Sequence, residues 1–178
     1  SASGGGVTIS GGEPALQAGF AARLLEACHE HSIHTALETC GYAPWTAYQA
    51  ILPHLDQLIF DIKHLDADSH TRLTGVSNAL VLDNARRLAG SGVSMTIRMP
   101  VIPGRNDSEE NVLRLAEFVA GLAGPPPVEL LPYHGYGKPK YERLGRDYTL
   151  SDLEPPKREG MLRLRDLVRS HGVRCEVA

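Results

Sequence analysis

The sequence predicts an α/β protein: an open, partial parallel β/α barrel of about six strands. Three observations carry this. Strand-like and helix-like segments alternate along the whole chain, the pattern of parallel strands joined by helical crossovers. At 178 residues the chain is shorter than the roughly 250 that a closed eight-stranded barrel takes. With 42% hydrophobic residues it has material for one core. No linker, repeat or low-complexity tract divides it, so residues 1–178 are expected to form a single unit.

Val7–Ser10 reads as the first strand, between Gly4–Gly6, taken as the loose end of a connection, and Gly11–Gly12. Phe20, Leu24, Leu25 and Cys28 recur at helical spacing, which predicts an amphipathic helix over 17–30. His34–Thr39 is the second strand, a helix begins after Pro44, and the β-prone run Leu58–Ile62 is the third strand. Ser69–Leu73 is a short helical piece. Ala79–Leu88 is a longer one, stopped by Gly90 and Gly92 in the left-handed conformation that glycine tolerates. Met95–Met99 is the fourth strand and Pro100–Asn106 a loop; Asp107 with Glu110 three residues on then signals a capping box. The next helix carries Val112, Leu115, Ala116, Val119 and Leu122 on one side. Pro125–Pro127 close that connection, Val128–Leu131 is the fifth strand, and a glycine-rich loop runs to Thr149. Met161, Leu164, Leu167 and Val168 mark a last helix, and Val173, Cys175 and Val177 alternate in a last strand.

Composition excludes some functions. The 18 basic and 21 acidic residues are mixed without like-charge runs, for a net charge of −3, which argues against broad nucleic-acid binding. No apolar stretch is long enough to span a membrane and no signal peptide opens the chain, so a cytoplasmic protein is expected. Cys28, Cys40 and Cys175 fit no zinc or redox spacing and read as reduced thiols.

In parallel α/β folds the ligand site lies at the carboxyl ends of the strands. There the sequence places Gly11, Gly12 and Glu13, then Glu38 and Thr39, then Asp61, Lys63 and His64, then Arg98, and finally Tyr133 and His134. A rim of both charge signs suits a ligand that carries an ammonium and a carboxylate, because each buried charge needs a partner. The glycines do not form a phosphate loop, since Glu13 and Pro14 follow Gly12 where a Lys-Ser/Thr pair is required. Taken singly, any of these residues also reads as an ordinary strand-end or capping group, and Asp61 with Lys63 as a rim salt bridge. His29, His31, His54, His70 and His171 match no motif and read as packing or surface residues.

The segments ISGGEP, LETCG, FDIKH, IRMPVIPGRND and LLPYHGYGKPKYERLG follow one another in an order that resembles the radical S-adenosylmethionine activating enzymes of glycyl radical enzymes, the pyruvate formate-lyase activase group. The resemblance implies a radical-SAM partial barrel that binds S-adenosylmethionine. Gly11, Gly12 and Glu13 would hold its amino group, Lys63 and Arg98 its carboxylate, and His134 the neighbourhood of its ribose. Glu38, Thr39 and Asp61 match positions that hold a monovalent cation beside that carboxylate, Glu38 standing where an aspartate is also common. The family's reaction passes an electron from a [4Fe-4S] cluster to S-adenosylmethionine. The resulting 5'-deoxyadenosyl radical takes hydrogen from a glycine of the partner enzyme, with flavodoxin or ferredoxin as reductant.

One departure matters. The CxxxCxxC cluster loop is absent, and none of the three cysteines has a cysteine neighbour within four residues. The expectation is an N-terminally truncated fragment, without its first strand and cluster loop, that is inactive as it stands and holds no catalytic residue of its own; a natural cluster-less relative is the rival explanation. Two other functions stay open: a radical SAM enzyme acting on a small molecule or peptide, against which the loop from Tyr133 to Tyr148 argues, and a non-catalytic module that binds S-adenosylmethionine or the glycyl radical partner.

Overall fold

The fold is that of a computed structural model, which describes residues 5–135, 141, 143, 145, 147, 150 and 153–178. Strands and helices alternate in chain order: β1 (Gly6–Ile9), α1 (Ala18–Glu30), β2 (His34–Thr39), α2 (Trp45–Ile51), β3 (Gln57–Asp61), α3 (Ala67–Thr74), α4 (Ala79–Ala89), β4 (Ser94–Val101), α5 (Glu109–Ala120), β5 (Val128–Pro132), α6 (Arg158–Arg169) and β6 (Cys175–Val177). The strands form one sheet in the order β1-β2-β3-β4-β5-β6, and every pairing is parallel. β1 and β6 are its two edges, so the sheet is open, as expected.

This order positions the site. Each crossover steps one strand in the same direction, and parallel crossovers are right-handed almost without exception, so all the helices pack on one face of the sheet. Leu37, Leu58, Phe60, Ile97, Met99, Val101 and Leu130 point into that helix layer and are fully buried. Strand residues alternate in direction, so Glu38, Asp61, Arg98 and Glu129 stand on the opposite face, and they are half-buried. Parallel sheets are normally covered on both faces. Among the described residues nothing covers the second face, which carries the charged row Glu38, Asp61, Arg98 and Glu129 between less polar residues such as Ile59 and Leu131.

Several boundaries differ from the sequence reading for physical reasons. A 3-10 turn at Pro14–Gln17 precedes α1, capped by the Glu13 side chain, which accepts from Ala15 N. β4 runs through Pro100 to Val101, where a loop was expected. Pro100 brings no N–H to the ladder, but its carbonyl accepts from Asn106 Nδ2 at 2.7 Å and Val101 O accepts from Tyr133 N. The cap of α5 is Ser108, whose Oγ accepts from Asn111 N; Asp107 accepts instead from Gly104 N. Of the two expected left-handed stops after α4, Gly92 has φ +85° while Gly90 stays right-handed at −82°.

Gly6 is not a loose end. It pairs with His34 in the β1–β2 ladder, and a Cβ there would run into the His34 carbonyl. Residues 1–4 and most of the expected glycine-rich loop up to Thr149 lie outside the described residues.

Candidate functional site

The loop after β1 sets one side of the site. Glu13 Oε1 accepts from Thr39 Oγ1 at 2.7 Å and from Ala15 N at 3.0 Å, and Oε2 accepts from Cys40 N at 2.8 Å. The carboxylate thus ties the end of β1 to the end of β2. These bonds use three of the roughly four lone-pair positions of an ionised carboxylate, and the Cys40 thiol lies against the same carboxylate. Thr39, buried, gives its proton to Glu13 and accepts from Tyr48 Oη at 3.0 Å and from Gly41 N at 3.1 Å. Its hydroxyl has no lone pair left for a cation.

Glu13 fixes a stretch of bare backbone just before it. Gly11 has φ +125°, a conformation that favours glycine, and a Cβ added to Gly11 or Gly12 meets nothing within 4 Å. The protein's own packing therefore does not require the missing side chain at Gly12. The space beside it is open to a ligand that reaches the main chain.

On the sheet itself, Arg98 stands between two acids. Its Nε donates to Glu129 Oε2 at 2.6 Å and its Nη1 to Glu38 Oε1 at 2.8 Å. Burial alone would lower its pKa, but the Glu129 bond and the charges of Glu129, Glu38 and Asp61 outweigh it and hold the guanidinium above its ordinary value. Glu38 Oε2 also accepts from Ser10 Oγ at 3.0 Å. Asp61, the register neighbour of Arg98 on β3, pairs with Lys63 through Oδ2, while its buried Oδ1 has no hydrogen-bond partner among the described residues. An orphaned carboxylate oxygen facing this row is costly unless a ligand or ion satisfies it.

The sequence-predicted residues therefore fall into two groups. Glu38, Asp61, Lys63 and Arg98 share the bare face, and Gly11, Gly12 and Glu13 flank it. His134 lies just beyond β5 and is exposed. Of the expected cation positions, Glu38 bonds to Arg98 and Ser10 and Thr39 bonds to Glu13 in the ligand-free chain. His64, expected at the rim, instead accepts from Asp66 N through Nδ1 at 3.0 Å, and burial lowers its pKa.

Sequence reasoning missed Glu129, Asn106 and Tyr48. Asn106 is buried and donates to the carbonyls of Lys63 and Pro100 while accepting from Ile102 N, so it fastens the main chain of Lys63 to the loop after β4. Its signal was the Asn of PGRND. Glu129 had a signal too: an acid inside a short apolar strand.

The three thiols do not fit an iron–sulfur cluster. Cys28 is buried on α1, Cys40 follows β2, and Cys175 is buried in the edge strand β6. Burial pushes Cys40, which also contacts Glu13, up to about 11 and Cys175 up to about 12, away from the thiolate that binds metal. Among the described residues no three His, Cys, Asp or Glu side chains gather to hold a metal ion. None of their helices is long and apolar enough to cross a membrane.

Residues 2–116 match the Radical SAM superfamily. The chain is 40% identical over 172 residues to the indoleacetate decarboxylase activating enzyme of Tractidigestivibacter scatoligenes, covering 96% of this chain and 54% of that protein. It is 39% identical over 175 residues to the pyruvate formate-lyase 1-activating enzyme of Escherichia coli, covering 96% of this chain and 70% of that one. Among solved structures, a domain of the pyruvate-formate lyase-activating enzyme from Bacteroides vulgatus superposes with a TM-score of 0.83 at 30% identity, covering 98% of this chain and 99% of that one. A radical SAM methyltransferase from Sphaerobacter thermophilus shares the fold, with a TM-score of 0.78 at 22% identity over 97% of this chain and 50% of that one. The chain thus belongs to the radical SAM superfamily and, within it, to the activating enzymes of glycyl radical enzymes.

Proposed function

We propose that this chain is the S-adenosylmethionine-holding part of an activating enzyme that installs a glycyl radical on a partner enzyme. The observation that carries the reading is the sheet face that no described residue covers, where an arginine whose Nη2 bonds to no described residue and a carboxylate oxygen without a partner among them stand beside open glycine backbone. These groups complement a ligand that has a carboxylate at one end of its amino-acid part and an ammonium at the other.

In this reading Arg98 and Lys63 take the carboxylate. The ammonium lies against the backbone of Gly11 and Gly12, beside the negative charge of Glu13. His134 stands towards the ribose. Asp61 Oδ1 is satisfied by a monovalent cation or by the ligand itself. Once bound, S-adenosylmethionine supplies on one-electron reduction the 5'-deoxyadenosyl group that takes a hydrogen atom from glycine. The residues of this chain bind and orient it and exclude water from its reactive bond. The cluster needs ligands these cysteines do not supply, and no step is assigned to them. A flavodoxin- or ferredoxin-type reductant and a cytoplasmic setting complete the proposal.

The experiment joins this chain to an N-terminal segment carrying the CxxxCxxC motif that the family resemblance implies, reconstitutes the cluster anaerobically, and adds reductant and a panel of glycyl radical enzymes. The expected result is a glycyl radical doublet in the electron paramagnetic resonance spectrum of one partner. Formation of 5'-deoxyadenosine with no radical on any partner would count against the activating role and favour a small-molecule or peptide substrate.

A further inference from the structure

We propose that Glu129 is the positioning residue for Arg98: from β5 it grips the guanidinium by Nε and so aims the Nη2 edge at the ligand's carboxylate. The proposal rests on reading the uncovered face as the site for S-adenosylmethionine. Glu129 is the register neighbour of Arg98 across the β4–β5 ladder, so the two side chains leave adjacent strands on the same face. The 2.6 Å bond from Nε to Glu129 Oε2 is the shorter of the two that Arg98 makes.

The choice of nitrogen matters. Nε lies on the stem, and a bond there fixes the rotation of the guanidinium plane. A bond to a terminal nitrogen alone leaves the plane free to swing about the contact. Glu38 supplies that second kind of contact at Nη1, from two strands away on β2. Together the two acids use two of the five N–H groups, and Nη2 bonds to no described residue. Arg98 is 19% exposed at its side chain, between acids that are 33% and 29% exposed. The row is therefore shielded enough for a charge-assisted bond to hold its geometry, yet open enough for the free edge to be reached. A long arginine side chain otherwise loses rotamer entropy when a ligand orders it. Glu129 removes that loss in advance.

The test compares Glu129→Ala with Glu129→Gln. Both remove the charge, but only Gln keeps an oxygen acceptor for Nε–H, so the ratio between the two variants isolates positioning from electrostatics. Proton–nitrogen spectra of the arginine Nε–H groups, with the Arg98 signal identified by its loss in Arg98→Lys, read the ligand-free chain. Slow exchange of that proton with water is expected in the parent and in Glu129→Gln, and fast exchange in Glu129→Ala; equal exchange in Ala and Gln overturns the proposal. Titration calorimetry then reads function. S-adenosylmethionine is expected to bind Glu129→Ala about ten-fold more weakly than Glu129→Gln, a difference of about 1.4 kcal/mol, while its decarboxylated analogue binds the two alike. A merely structural role would move both ligands equally, and that result contradicts the proposal. If the parent chain binds neither ligand, the cofactor reading fails, and the exchange measurement alone decides for or against the positioning of Arg98.

Discussion

Glu13 is the residue whose removal distinguishes a tie within the fold from a bare ligand contact. In Glu13→Gln the amide oxygen can serve the two donors on the Oε1 side, Ala15 N and Thr39 Oγ1, but the amide nitrogen then faces the Cys40 N–H. One hydrogen bond to a charged acceptor is lost outright, worth about 1.5–3 kcal/mol, and the other two fall from charged to neutral strength. The sum is about 2–4 kcal/mol of stability. For a chain of this size each kcal/mol moves Tm by roughly 2–4 °C, so a drop of about 5–15 °C is expected. Urea denaturation of the parent chain, Glu13→Gln and the exposed-helix control Glu26→Gln measures it, and the slope m should be unchanged. If Glu13→Gln unfolds at the same urea concentration as the control, Glu13 does not tie β1 to β2 and the argument built on its three bonds is wrong.

The other predictions follow from the same geometry. Gly12→Ala should change stability by less than about 0.5 kcal/mol, as at ordinary surface sites, and still weaken S-adenosylmethionine binding; equal affinity in a titration removes the backbone beside Gly12 from the site. Gly41→Ala forces a left-handed residue at φ +77° and pushes a methyl into the buried Phe60 ring. About 2–4 kcal/mol of destabilisation is expected from strain plus overpacking, and an unchanged thermal melt refutes the close approach. Asn106→Ala strands the Lys63 and Pro100 carbonyls and the Ile102 N–H. It should cost about 3 kcal/mol or more, read by urea denaturation. Asp56 is held below the usual carboxylate range, chiefly by the Thr35 N–H against the effect of burial, with His29 and the Thr35 hydroxyl adding to it. A carboxylate depressed in the fold stabilises above its unfolded pKa of about 3.9 and loses that contribution as pH falls through the folded value. The acid limb of the stability curve should therefore be shallower in Asp56→Asn, and identical limbs would contradict the Asp56 bonds.

Much of the architecture was legible because the strands are short, apolar and evenly spaced. The bounds His34–Thr39 could be read directly, since the run ends two residues before Gly41, which turns the chain at φ +77°. β4 was harder. Pro100 carries the usual mark of a strand end, and only the tertiary bonds from Asn106 and Tyr133 show how the strand continues through it. The Asp107 cap failed for a similar reason: its side chain is drawn back to Gly104, leaving Ser108 to cap. At the site, Glu38, Asp61, Lys63 and Arg98 were visible as polar residues at strand ends. Their pairing was not, because a guanidinium that reaches across two strands depends on register, and single-sequence patterning does not carry register. Glu13 was read as a ligand group alone. Two of its three internal bonds go to residues 26 and 27 positions away and leave no local trace.

The central claim is that the uncovered face of the sheet is built to hold S-adenosylmethionine. Calorimetric titration of that ligand into this chain tests it most directly, with Arg98→Ala and Gly12→Ala alongside and the melting of each protein recorded. The account predicts saturable one-to-one binding by the parent, weakened about ten-fold or more in both variants, or about 1.4 kcal/mol, while Gly12→Ala melts with the parent. Binding that survives both substitutions unchanged, or no saturation at millimolar ligand, would contradict it.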